Sequence, residues 1–548
     1  MTDLTERMLI SGNQAVALAA LHAQVALGTG YPGTPSTEIL ESFDELGGRA
    51  QWAPNEKVAL EVGLGAAFAG ARVLVTMKHV GLNVAADPLF TAAYTGVSGA
   101  LVLISADDPG LASSQNEQDN RRYAVAAGVP MIEPSDSQES YDMLIAGLDL
   151  SHRFNLPVML RMTTRVCHSK TIVTPTGATR LSGSPQAVWH RDIPGRVMVP
   201  AYARPAHRRL RAKLDELTKV SNQSPLNFIS TGDGTSKKGI IASAISYVHA
   251  REAAPGSDVL KLGMTYPLPI DMIRKFVESH DSAIVIEEGD PYLVEQIRAA
   301  GIGVDGKPAM YRFGEFDVAR VKRILAGDVS EEPAPPKGRP PQLCVGCPHR
   351  NVFETLRDMD CIVAGDIGCY TLGVLPPFNA MDTCVCMGAS IGVGLGLRHV
   401  LPDEQAKKVV SVIGDSTFVH SGLTGMAEMI YNPPKTGHVL MILDNGITAM
   451  TGQQEHPGTG RTLDHQPTGK IDFEKMARAM GIARVYTIDP VKSTANLEAT
   501  LKDCLASGEL AVIITRRPCI LAAGKIKEWE TAAAAKCDCQ SAATGIDQ

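Results

Sequence analysis

A chain of 548 residues with 44% apolar and 20% charged residues has length for several hydrophobic cores and the balance of an ordinary water-facing α/β protein. Its net charge of −7 gives no electrostatic reason to bind nucleic acid or acidic membranes, and no run of 18 uncharged apolar residues offers a bilayer-spanning helix. The opening Met1-Thr2-Asp3-Leu4-Thr5-Glu6-Arg7 is no signal peptide, so the expected location is the cytoplasm. Eleven cysteines in that compartment are expected as metal ligands or buried thiols rather than disulfides, and ten of them lie at or after Cys344.

The first unit, 1–190, alternates apolar strands with helices. Asn13–Ala26 carries a helical stripe. Gly28–Thr37 is a tight turn whose Ser36 or Thr37 can cap the following helix. Pro54-Asn55-Glu56-Lys57 then leads into a helix of small residues, Val62–Gly70, suited to close packing on a sheet. Arg72–Met77, Ala100–Ser105 and Pro157–Met162 read as strands. Lys78-His79-Val80-Gly81 and Asp107-Asp108-Pro109-Gly110 sit at the ends of the first two, where α/β sheets collect function. The polar loop Ser113–Arg122 suits either a ligand or solvent, and Pro185–Pro205 reads as a linker.

The second unit, 206–330, holds strand-like Asn227–Ser230, Val259–Gly263 and Ser282–Glu287, with a helix from Leu293 onward. Its Gly-rich loop Thr231–Ser236 lacks a metal-ligand partner at matching spacing and is read as structural. The Pro-rich stretch 331–341 marks a boundary. In the third unit, 342–525, Cys344-Val345-Gly346-Cys347 is a pair consistent with either zinc or iron–sulfur. The other cysteines there, Cys361, Cys384, Cys386 and Cys504, read as buried thiols. After Gly524 the chain turns Ala-rich, and 526–548 reads as a poorly ordered tail.

Val409–Gly446 is the most informative stretch. An apolar run, Val409–Ile413, breaks into Gly414-Asp415-Ser416; a helical pattern and Pro433-Pro434 follow within the 27 residues 417–443. A second apolar strand, Val439–Leu443, then delivers Asp444-Asn445-Gly446. Parallel strands joined by a helix place both polar ends at one carboxyl edge. There the Asp415 carboxylate, the Asn445 amide oxygen and a carbonyl just beyond can hold a hard cation such as Mg²⁺ against a diphosphate. The plainer alternative, in which Asp415 only caps a helix, does not explain the spacing or the second strand.

This pattern resembles the thiamine-diphosphate motif, with Ser416 for its last Gly and Asp444 for its first Asn. From Met8 to about Ala523 the chain resembles the alpha subunits of indolepyruvate ferredoxin oxidoreductases, within the 2-oxoacid:ferredoxin oxidoreductase family. The residues that carry this are Tyr31–Ser36, Asn55–Glu61, Met77–Asn83, Cys344–Arg350, Gly365–Tyr370, Gly414–Phe418 and Leu443–Gly452. The resemblance implies three open, mainly parallel α/β units. A pyrimidine-side domain (1–190) and a diphosphate-side domain (342–525) would sandwich thiamine diphosphate, with a middle domain (206–330) like the C-terminal domain of transketolases.

Carried over by position, Glu56 is the acid at the cofactor's aminopyrimidine and Thr34 a hydroxyl near the substrate carboxylate. Gly414, Asp415, Ser416, Asn445 and Ile447 form the diphosphate side; Asp415, Asn445 and the Ile447 carbonyl are the Mg²⁺ ligands. The family's carboxylate-binding Arg has no evident match, Asp107 falling near its place, and Lys78 or His79 is the expected substitute. Cys344, Cys347, Cys369 and Cys519 are the expected ligands of one [4Fe–4S] cluster. Relatives usually continue into a ferredoxin-like domain, of which only Cys537-Asp538-Cys539 remains here.

The implied reaction is oxidative decarboxylation of an aryl 2-oxoacid, indolepyruvate or phenylpyruvate, with CoA to an acyl-CoA. The implied partners are a small beta subunit, completing a heterotetramer of two large and two small chains, and ferredoxin or another electron acceptor. The alternatives are a redox-silent thiamine decarboxylase or acyl-CoA-forming enzyme, and a non-catalytic scaffold subunit.

Overall fold

The computed structural model describes residues 7–175, 187–333 and 341–531. The chain divides into two compact units, up to Ala334 and from Pro335 onward. Most of the Pro-rich stretch, 334–340, lies outside the described residues.

The first unit is built on a seven-stranded sheet in the order Met264–Tyr266, Met131–Ile132, Val158–Thr163, Ala100–Asp107, Arg72–Lys78, Leu27–Gly30, Ala50–Trp52. Every pairing is parallel except the first, in which Met264–Tyr266 runs antiparallel. The central strands are continuous apolar runs because helices cover both faces: Val73, Leu74 and Val75 are buried, as are Leu101–Ile104. The helix Gly12–His22 starts at a capping box between Ser11 and Gln14 and packs on Ser137–Phe154. Small residues in Glu56–Phe68 permit close packing on the sheet; a Cβ at Gly63 would come 2.6 Å from Val75 Cγ2.

A second, four-stranded sheet in this unit runs Ser282–Ile286, Lys238–Ser243, Val259–Leu262, Phe228–Ser230, with only the last antiparallel. The strand Met264–Tyr266, two residues after Val259–Leu262, leaves this sheet and edges the first. The stretch read as a linker is different in structure from residue 200 onward. Pro200–Gln223 is a helix of 24 residues whose Ala206, Leu210, Leu214 and Leu217 form a buried stripe. Pro200 stands at the helix start, where its missing N–H costs nothing, and the stripe anchors the rest. In the Gly-rich loop 231–236 the Gly232 N–H donates to Asp258 Oδ1 at 2.8 Å.

The second unit carries six parallel strands in the order Thr383–Cys384, Ile362–Gly365, Val409–Gly414, His438–Asp444, Leu510–Arg516, Arg484–Ile488. Side chains alternate between two cores. Val410, Val412, Val439, Met441 and Ile513 fill one face; Ile413, Leu440, Ile442, Val512 and Ile514 fill the other.

Beyond Gly524 the tail expectation is corrected in part. Residues 523–531 are helical, and Ile526 packs with Ile447 and Ala522 in a small core. The rest of the tail, including Cys537 and Cys539, lies outside the described residues. Cys504 is buried and Cys361 half-buried, but Cys384 and Cys386 are exposed, against the expectation of buried thiols. Among the described residues no helix is long and apolar enough to cross a membrane.

Candidate active site

In the second unit Gly414 pairs in register with Leu443, so Asp415 and Asn445 emerge side by side at the carboxyl edge of adjacent strands. Both are nearly buried, at 3% and 8% exposed. Asp415 Oδ2 accepts the N–H groups of Asn445 (3.1 Å) and Gly446 (2.8 Å), and Oδ1 accepts that of Ser416 (2.9 Å). Asn445 Oδ1 accepts the Ile447 N–H at 3.1 Å. Burial would raise the Asp415 pKa, but His456, with Nε2 3.3 Å away, and these N–H groups outweigh it and hold the carboxyl below its ordinary value.

Two departures from the motif have physical explanations here. Ser416 Oγ accepts the Thr448 hydroxyl at 2.9 Å and so ties the two strand-end loops together. Asp444 is held by Arg516 Nε at 2.7 Å, apart from the Asp415 carboxylate's own contacts.

Three supporting residues were not singled out from sequence. His349 is buried, 3.4 Å from Asn445 Nδ2, and burial pulls its pKa down to about 4, so the neutral ring faces the amide. Asp366 accepts the N–H groups of Gly388 (2.8 Å) and Ser390 (3.0 Å) and so pins the start of the helix Ala389–Val400. His456 is the third. His349 and Asp366 belong to Cys344–Arg350 and Gly365–Tyr370, so their runs were flagged but their roles were not.

The donor set suits Mg²⁺ with a diphosphate: one carboxylate, one amide oxygen and a backbone carbonyl, all hard oxygens on one edge. Among the described residues no three His, Cys, Asp or Glu side chains form a single-ion site, and this set, with one carboxylate, does not require one.

The four cysteines singled out from sequence share one neighbourhood in this unit. Burial pushes the Cys347 thiol up to about 11, with Cys344 and Cys519 adding to the rise. Burial likewise pushes Cys369 up to about 12, assisted by Cys347, Cys519 and Cys344. The Cys519 N–H donates to the Asn445 carbonyl at 2.9 Å, which joins this group to the loop carrying the amide. Cys344 is exposed and the other three are partly buried.

In the first unit the expected residues also meet at the carboxyl edge of their sheet. Glu56 opens its helix after the cap Asn55, whose side chain accepts the Val58 N–H at 2.9 Å. The Glu56 side chain, 4% exposed, lies against the backbone of Gly81, where a Cβ would come 2.4 Å from Oε1. Thr34 is partly exposed in the turn beside Lys78; a Cβ on the preceding Gly33 would lie 3.0 Å from Lys78 Cβ. Neither Ser36 nor Thr37 caps the next helix, contrary to expectation. Ser36 Oγ donates to the Gly33 carbonyl and Thr37 Oγ1 accepts the Gly33 N–H, each at 3.0 Å, so both hydroxyls shape the turn instead.

Lys78 is buried, its Nζ donating to the Ser113 carbonyl at 2.6 Å, and burial brings its pKa down to about 8. His79 is fully buried and also lowered by burial; Nε2 lies 3.1 Å from the Asn116 carbonyl, while Nδ1 has no hydrogen-bond partner among the described residues. Asp107 is committed elsewhere, accepting Arg161 Nε at 2.7 Å in a buried network where Arg121 joins Asp119 and Glu287. Arg161 was missed from sequence because its partners Asp107 and Glu133 are distant in the chain; Arg121 belongs to the loop Ser113–Arg122, and only its pairing with the distant Glu287 was illegible there. A cavity of about 140 Å³ opens beside them, lined by Asp107, Asp119, Arg161, Asp290 and Arg312.

Comparison with known proteins shows the family. Residues 18–186 match the family model for the pyruvate flavodoxin/ferredoxin oxidoreductase thiamine-diphosphate-binding domain. Residues 366–515 match that for the C-terminal binding domain of thiamine pyrophosphate enzymes. Indolepyruvate oxidoreductase subunit IorA of Archaeoglobus fulgidus is 39% identical across 94% of this chain and 87% of its own. That of Pyrococcus abyssi is 38% identical across 94% and 86%, and that of Methanothermobacter marburgensis 39% across 95% and 88%. A solved 2-oxoglutarate:ferredoxin oxidoreductase from Magnetococcus marinus shares the fold, with a TM-score of 0.51 and 17% identity over 60% of this chain and 66% of its own.

Fold and domains together define a thiamine-diphosphate-dependent 2-oxoacid oxidoreductase. Within that class the chain belongs to the family of indolepyruvate oxidoreductase subunit IorA.

Proposed function

We propose that the chain is the large subunit of an aryl 2-oxoacid oxidoreductase that decarboxylates indolepyruvate or phenylpyruvate and forms an acyl-CoA. The observation that carries this reading is the pairing of Asp415 with the Asn445–Gly446 loop at the edge of two parallel strands. The family names of the relatives support the substrate class. Coenzyme A use rests on the fold neighbour, which was solved with coenzyme A and succinyl-CoA bound. We assign 1–190 as the pyrimidine-side domain, 206–330 as the middle domain and 342–525 as the diphosphate-side domain.

Bound thiamine diphosphate supplies the nucleophilic carbon and the electron sink for loss of CO₂. The chain supplies placement and proton control. Asp415, Asn445 and the Ile447 carbonyl would hold Mg²⁺, and Gly414 and Ser416 shape the turn that carries Asp415. Glu56, nearly buried against Gly81, would hold a proton at the aminopyrimidine. Lys78 or His79, with Thr34, orients the substrate carboxylate. Cys344, Cys347, Cys369 and Cys519, close enough to raise one another's thiol pKa values, would hold a [4Fe–4S] cluster and supply one-electron chemistry there. The acceptor on this reading is ferredoxin or another electron carrier, and a small beta subunit completes the enzyme in the cytoplasm as a heterotetramer.

The test is an assay of the anaerobically purified complex with its small subunit, following reduction of a viologen dye with indolepyruvate, phenylpyruvate and an aliphatic 2-oxoacid. CoA-dependent reduction with the aryl substrates is expected. Turnover without dye reduction would turn the reading to the redox-silent alternative, and cofactor binding without any turnover would turn it to a scaffold.

A further inference from the structure

A cavity of about 410 Å³ in the first unit has no part in the site above. It lies at the opposite edge of the seven-stranded sheet. Its wall includes Ala93, Tyr94, Thr95, Val97 and Ser98, just before the strand Ala100–Asp107, and Asn155, just before Val158–Thr163. Its volume falls within the range of small-molecule sites.

Three cations line it, Arg196, Arg209 and Lys213, against one carboxylate, Asp192. That carboxylate is engaged locally, accepting the Gly195 N–H at 3.0 Å. Arg196 is fixed in place: Nη2 donates to Ser98 Oγ, and the guanidinium sits 4.1 Å from the centre of the Phe68 ring. Its Nη1 is buried and has no hydrogen-bond partner among the described residues. A buried donor without an acceptor costs on the order of 1–3 kcal/mol, more when charged, and so calls for an anion or an ordered water. Lys213 donates to the Asn155 carbonyl at 3.3 Å; burial chiefly, and the nearby Arg209, lower its pKa against an opposing pull from Glu216. Tyr94, stacked on His207 at 5.3 Å, supplies an aromatic wall.

We propose that this cavity binds a phosphate-bearing small molecule of nucleotide size, its phosphate held by Arg196, Arg209 and Lys213, at the sheet edge away from the catalytic residues. A planar guanidinium with a free N–H suits phosphate oxygens, and one rigid arginine with two longer-reaching cations can surround such a group.

The experiment is calorimetric titration of the full chain, saturated with thiamine diphosphate so that its own diphosphate site is filled, with ADP and separately with inorganic phosphate. Arg209→Gln and Lys213→Gln are the main variants, because both side chains reach the surface and neither is part of the core; Arg196→Gln is the third. Binding of ADP tighter than phosphate is expected, weakened roughly tenfold or more in the two surface variants with unchanged unfolding temperatures. Binding of phosphate alone, lost in the same variants, supports the anion site and reduces the ligand to its phosphate. No binding of either probe, or binding that survives both surface variants, overturns the proposal.

Discussion

Asp415 Oδ2 accepts the N–H of Gly446 at 2.8 Å, so the proposed metal ligand also sets the shape of the loop that presents its partner Asn445. One residue thus has a structural and a chemical role, and the two can be separated. Asp415→Ala leaves three buried N–H donors without their acceptor and is expected to destabilise the second unit by about 3 kcal/mol while abolishing thiamine diphosphate binding. Asp415→Asn keeps an acceptor oxygen but loses the charge; it should unfold closer to the parent temperature while cofactor affinity falls roughly tenfold or more. Thermal denaturation without cofactor, paired with a cofactor titration, reads both. Equal cofactor affinity in Asp415→Asn and the parent would rule out the metal role.

Glu56 and Gly81 make the second separable pair. A Cβ at Gly81 would occupy space 2.4 Å from Glu56 Oε1, so Gly81→Ala must displace the carboxyl group. We expect it to lower kcat by roughly a hundredfold, much as Glu56→Gln does, with cofactor still bound in both. Full activity in Glu56→Gln would overturn the assignment of the acid.

Lys78 ties stability to pH. Burial disfavours its charged form, lowering its pKa from the usual lysine value to about 8. Between pH 8 and the ordinary lysine pKa of about 10.4 the unfolded chain binds the extra proton, so stability rises with pH across that window and the penalty is complete below it. Lys78→Met should therefore flatten that rise and stabilise the protein near neutral pH by about 1–3 kcal/mol, while raising KM for the 2-oxoacid. The check is denaturant unfolding from pH 7 to 10 together with steady-state kinetics. An unchanged KM in both Lys78→Ala and His79→Ala would remove both residues from carboxylate binding.

The cysteine neighbourhood is read by metal content. Protein purified without oxygen should carry about four irons and matching acid-labile sulfide per chain, with a paramagnetic signal after reduction. Cys369→Ser should lose iron, whereas Cys384→Ser and Cys386→Ser, at exposed thiols outside the quartet, should keep it. Iron absent from the parent protein with thiamine diphosphate bound would favour redox-silent chemistry.

By itself the sequence determined the parts whose signals are local. Apolar runs set the central strands, because strands buried on both faces need no polar alternation. The spacing from Asp415 to Asn445 set two adjacent strand ends, because one crossover helix of ordinary length returns the chain to the neighbouring strand. The tertiary structure decided what depends on residues far apart in the chain. It placed Met264–Tyr266 on the first sheet, made a helix of Pro200–Gln223 through its buried stripe, engaged Asp107 with Arg161, and gathered Cys519 with cysteines 150 or more positions earlier. Such contacts leave no local pattern, because their energy comes from burial and charge pairing that arise only once the sheets have formed.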